Sequence, residues 1–150
     1  MYFQAENIVW RRGFVAELLA ALATNPAAAL APTPVLHLFT GSLEPDPGTL
    51  LAAFTAVEAT FTGYAEVTLP AWVGAVNILD QVIALISSGN FVVGTPVTIQ
   101  ENITGYWVDY DTASDWLLAE RFPAPFPMVS TGDFLQVDLA AGLPLTLAVK

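Results

Sequence analysis

Few residues in this chain are of the types that chemistry needs. There is one histidine, His37, and no cysteine. A single imidazole without thiolates argues against a histidine-based metal centre and against a cysteine–histidine nucleophile. A Ser-His-Asp arrangement is formally available, but no serine lies in a G-x-S-x-G elbow. His37 falls in the alternating run Val35-Leu36-His37-Leu38-Phe39-Thr40, where a histidine at a sheet face or interface is the ordinary account. Carboxylates are the other resource. Asp109, Asp111 and Asp115 follow the pattern D-Y-D-x-x-x-D, and as metal candidates they would suit Ca²⁺, which gathers several oxygens at one centre. The pattern lacks the glycine and closing glutamate of an EF-hand, and solvated loop acids are the competing account. Glycoside hydrolysis would need two opposed carboxylates in a cleft. Glu66, Glu101 and Glu120 are available, and no spacing singles out a pair. Tyr64, Trp72, Tyr106, Trp107 and Trp116 would make a sugar-binding platform if exposed, and core or interface if buried. The expectation is a chain with no catalytic residue and no cofactor.

Most of these residues lie on alternating runs. In 103–110 Tyr106, Val108 and Tyr110 oppose Trp107 and Asp109. In 116–121 Trp116, Leu118 and Glu120 alternate with Leu117, Ala119 and Arg121. In 134–139 Leu135, Val137 and Leu139 share a face opposite Phe134, Gln136 and Asp138. A period of two in aromatic and β-branched residues predicts strands. Further strands are expected at 35–41, at 58–69 with a bend at Gly63, at 81–87 and 90–93 around a Ser88-Gly89 turn, at 96–101, and at the edge in 143–149. Residues 49–58 read as a short helix or a covering segment, and 70–79 are ambiguous. Pro123, Pro125 and Pro127 predict a stiff crossing between the second and third strands of the central stretch. The fold class expected is all-β: an antiparallel β-sandwich, jelly-roll-like, with an N-terminal amphipathic helix.

That helix is predicted over 7–24, capped by Asn7, with Trp10, Phe14, Leu18 and Leu22 recurring every fourth residue. Gly13 weakens its first turn by about 1 kcal/mol relative to alanine. Residues 1–34 then form a helical arm with a Pro/Ala linker, and 35–150 form the β-sandwich domain. The arm either folds back over its own sandwich or docks on a neighbouring subunit, with Arg11 and Arg12 meeting acids there.

Hydrophobic residues make up 55% of the 150 and charged residues 12%, against about 25% charged in ordinary soluble domains. No run approaches the roughly 18 apolar residues of a membrane helix, so no membrane partner is expected. Apolar residues on both faces of several strands predict surface covered by other protein. The net charge is −10, with no lysine or arginine between Gly13 and Glu120, which argues against nucleic acid as a partner. Acids at Glu6 and Glu17 flank the apolar N-terminal stretch, unlike a secretory signal, so assembly inside a cell is expected.

The early LHLFTG (36–41), then ATFTGYAEVTL (59–69), GYWV (105–108) and LLAERFPAPFPMVSTGDFLQVDL (117–139) together resemble small virion structural proteins of tailed bacterial viruses. The resemblance covers roughly residues 35–139, and its motifs are structural rather than catalytic. It implies a capsid-associated decoration, cement or minor virion protein, located in the virion after assembly in the host cytoplasm. The major capsid protein or another virion protein would be its partner. Residues 1–34 depart from the pattern. A shell-sealing protein works by burying apolar surface and needs no active site. The composition is compatible with that role. Self-association, most simply as a trimer, is expected, with Trp10, Arg11, Arg12, Phe14, Leu18 and Leu22 as the interface. The alternative is a carbohydrate-binding β-sandwich module using exposed aromatics. Opposed carboxylates in a hydrolase are the weaker rival.

Overall fold

The computed structural model describes residues 1–4, 6–25, 28, 32–70, 73–76, 80–84, 88–110, 115–139 and 145–148. The alternating runs form its longest ladder, in which β8 (Glu101–Tyr110) and β9 (Trp116–Met128) pair antiparallel. On the other side of β8 lies β3 (Pro34–Thr40), whose own far side carries β4 (Val67–Thr68). The short β2 (Val9–Trp10) pairs with β9 and completes a five-stranded sheet of order β2-β9-β8-β3-β4. A second sheet, β1-β10-β7, is made of Tyr2–Gln4, Phe134–Asp138 and Ser88–Val92. Its β1–β10 contact is parallel, unlike the other described pairings. A third sheet joins β11 (Leu145–Ala148), β6 (Asp80–Ala84) and β5 (Val73–Val76). Two helices, α1 (Phe14–Thr24) and α2 (Leu51–Thr55), complete the described elements. The protein is all-β, with largely antiparallel sheets in a sandwich-like arrangement.

The pleat sends alternate side chains to two cores. Leu36 and Leu38 of β3, Tyr106 and Val108 of β8, and Leu118 of β9 meet Phe3, Phe91, Leu135 and Val137 of the second sheet. This is the main core, and Phe14 and Leu18 of α1 join it. On the other face of the large sheet, Phe39, Trp107, Trp116 and Ala119 pack under Phe54 of α2. Each large side chain so buried stabilises the fold by roughly 1.5–3 kcal/mol relative to exposure.

Several expectations are corrected. The first helix begins at Phe14 and not at Asn7. Val9 and Trp10 instead pair with Ala119 and Leu118, because β9 offers an open edge whose backbone groups need partners. Gly13, at φ +82°, turns the chain from that strand into α1, a left-handed conformation that favours glycine. Ser88 and Gly89 are not a turn but the start of β7. A Cβ on Gly89 would collide with the Leu36 side chain, so its small size serves sheet-to-sheet packing. Residues 58–69 are mostly loop, reduced to a bridge between Glu58 and Phe39 and the two residues of β4. The prolines at 123, 125 and 127 lie within β9, on the part that continues past β2. There they cost the sheet no central hydrogen bond. Alternation in β9 slips at Leu117, where a bulge puts Leu117 and Leu118 into one core.

Candidate functional site

A cluster of polar side chains stands on the α2 side of the large sheet. His37 of β3 and Trp107 of β8 are register partners, and Asp109 lies two residues along β8 on the same face. The bridge between Phe39 and Glu58 brings Glu58 to the edge of that face. His37 Nδ1 is 2.9 Å from Glu58 Oε1, and Nε2 is 3.1 Å from Asp109 Oδ1. A neutral imidazole has a single N–H, so both contacts are hydrogen bonds only when the ring is protonated and donates to both carboxylates. The Tyr64 hydroxyl donates to the same Glu58 oxygen at 2.9 Å and accepts the Leu38 N–H at 3.2 Å. This fixes the carboxylate from a second side.

Burial by itself would lower the His37 pKa, but its bonds to Asp109 and Glu58 and their negative charge outweigh that and raise it above 6.5. Burial pushes the Tyr64 hydroxyl strongly upward, so it stays protonated and donating. The cluster is only partly sealed: the side chain of His37 is 12% exposed and that of Glu58 28%. Glu66, on the segment leading into β4, is exposed beside them, and one ligand atom each from His37, Glu58 and Glu66 lie within 4.8 Å of one another. The arrangement can hold a proton or a small cation between a nitrogen and two carboxylates.

The two described members of the expected aspartate cluster have different partners. Asp109 binds His37, while Asp115 faces Arg11 at 3.5 Å and accepts the Trp116 N–H. Asp111 lies outside the described residues, as does Trp72. Of the candidate sugar platform, Tyr106, Trp107 and Trp116 are fully buried and Tyr64 is half-buried, so these four are core and not an exposed surface. Glu120 is buried and accepts from the Glu6 and Asn7 N–H groups and the Tyr106 hydroxyl. Glu101 accepts from the Thr60 backbone N–H and hydroxyl. Both acids are structural acceptors in this fold.

Four of the six expected interface residues make contacts within the chain. Phe14 and Leu18 are in the main core and Trp10 packs against it, stacked on Phe14 at 5.7 Å. Arg11 pairs with Glu17 at 2.7 Å and donates to the Trp116 carbonyl. Arg12 is exposed, and the side chain of Leu22 lies outside what is described. Asp109 is signalled by its acid pattern, but Glu58 is joined to His37 only by tertiary pairing.

Comparison with family models, curated proteins and solved structures found no match. Among the described residues no helix is long and apolar enough to cross a membrane.

Proposed function

We propose that the chain is a non-enzymatic, self-associating structural protein of a virion, a capsid-associated decoration, cement or minor component. The single observation that carries the reading is the outer face of the β1-β10-β7 sheet. Phe134 and Val92 are direct register partners there and are 38% and 49% exposed, while their neighbours Leu135 and Phe91 are buried. Met1, also exposed, is hydrogen-bonded to the backbone on either side of Leu135. An apolar pair on a sheet face suits a contact with a second copy or with a shell protein. The resemblance of 35–139 to small virion proteins of tailed bacterial viruses supplies the class of assembly.

The finer architecture belongs to the same reading. The sandwich is jelly-roll-like, supported by the pairing of sequence-distant strands, β3 with β8 and β7 with β10. The N-terminal arm, with an amphipathic α1, exchanges between copies in a trimer. Contacts made within one chain are the contacts a swapped arm would make with its neighbour, so exchange needs little new surface. The major capsid protein or another virion protein is the proposed heterologous partner. Quantitative mass spectrometry of particles purified from a virus encoding this chain tests the assignment. The reading predicts peptides of the chain at a fixed ratio to the shell protein. Their absence from purified particles would refute it.

A further inference from the structure

We propose that His37, Glu58 and Glu66 form a binding site for a divalent transition-metal ion of the zinc class. The donors are one imidazole nitrogen and two carboxylates, a set that suits Zn²⁺. Their ligand atoms lie within 4.8 Å of one another. Tetrahedral ligands at about 2.0–2.2 Å from an ion lie roughly 3.4 Å apart, so binding would open the 2.9 Å contact between His37 and Glu58 slightly and draw Glu66 inward. Glu66 is the exposed member and the one free to swing inward. The charges also match, since two carboxylates and a neutral imidazole offset a dication.

The surroundings are those a metal-binding histidine requires. Nδ1 is the nitrogen that faces Glu58, and Nε2 faces Asp109. A histidine ligand characteristically donates its other ring N–H to a carboxylate, which fixes the ring and raises the basicity of the ligating nitrogen. Asp109 is in that place. Trp107 under the ring, at 4.5 Å between centroids and 6° between planes, holds its orientation. Tyr64 holds Glu58 from the far side.

With the ring protonated, a proton on Nδ1 bridges His37 and Glu58 in the metal-free chain. Zn²⁺ would replace it: the Nδ1–H bond breaks, one proton goes to solvent, and the nitrogen lone pair and two carboxylate oxygens bind the ion. The Nε2–H bond to Asp109 is kept. The ion would join β3, the Glu58 bridge and the segment entering β4, clamping a loop that has little regular structure of its own. This site is independent of the virion reading, and either can fail alone.

The test is calorimetric titration of Zn²⁺ into the metal-free full-length chain at neutral pH, with Co²⁺ absorption and imidazole NMR beside it. The expected result is one ion per chain, a shifted His37 ring signal, and a melting temperature that climbs with added Zn²⁺. Asp109→Asn should weaken binding about 10- to 100-fold. Glu66→Gln removes a ligand from an exposed position that the fold does not need, and should weaken it more with the fold unchanged by circular dichroism. Absence of saturable binding would overturn the proposal. Binding that ignores Glu66→Gln, leaves the His37 signal in place or is matched by Ca²⁺ would overturn it too.

Discussion

The imidazole of His37 lies flat on the indole of Trp107, with ring centroids 4.5 Å apart and planes 6° from parallel. A protonated ring so placed is a cation over an aromatic face, and its two N–H groups point at Glu58 and Asp109. The contacts around His37 favour its charged form, and burial opposes it.

That arrangement fixes the sign of a pH effect. The folded-state pKa of His37 is raised above 6.5, so the folded protein binds the proton more tightly than the unfolded chain. The resulting stability is fully present below pH 6.5 and is lost as pH rises through the folded pKa. Urea midpoints should fall across that window, and His37→Asn should remove the dependence. An imidazole signal titrating below pH 6.5 by NMR would contradict the geometry.

Glu120 is a buried carboxylate with a defined task. It is 1% exposed and ties the Glu6–Asn7 backbone and Tyr106 to β9. Glu120→Ala leaves three donors without their acceptor and should cost about 3 kcal/mol or more in urea unfolding. Tyr106→Phe, which leaves the backbone bonds in place, should cost about 1.5 kcal/mol. Equal effects would mean that the backbone bonds contribute nothing.

Gly105 lies where β3, β8 and β9 crowd together. A Cβ there would overlap the Phe39 ring and the Glu120 carbonyl oxygen. Gly105→Ala should therefore destabilise by about 2–3 kcal/mol through overpacking, read as a drop in melting temperature. A neutral result would show that both Phe39 and the β9 backbone at Glu120 shift at little cost.

Deletion of residues 1–24 gives a sharper outcome than a simple arm would. Phe3, Phe14 and Leu18 belong to the main core, and β1 and β2 each pair with the body. The truncated chain should lose cooperative unfolding and expose apolar surface to dyes such as ANS. A truncation that keeps a sharp transition would show that residues 25–150 fold alone.

The strand ladder was legible because its signal is local. Tyr106, Val108, Leu135 and Val137 alternate in the sequence as they do in the core. Where the reading slipped, a tertiary demand overrode a local pattern. Trp10, Phe14 and Leu18 fit a helical period, yet the open edge of β9 takes Val9 and Trp10 as a strand. Ser88-Gly89 has turn composition, yet the glycine is there for the approach of Leu36. The candidate site was half visible. His37 and Asp109 stood out by type, but they are 72 positions apart, and Glu58 joins them only because an isolated bridge seats it beside β3. Nothing in the spacing of these residues encodes that meeting.

The proposed self-association through the outer face of the β1-β10-β7 sheet has a direct readout in solution mass. Light scattering on the full-length chain, beside Phe134→Glu, should give a discrete multiple of 16.0 kDa that the substitution lowers without loss of fold. A full-length protein that stays at 16.0 kDa at every concentration would contradict it.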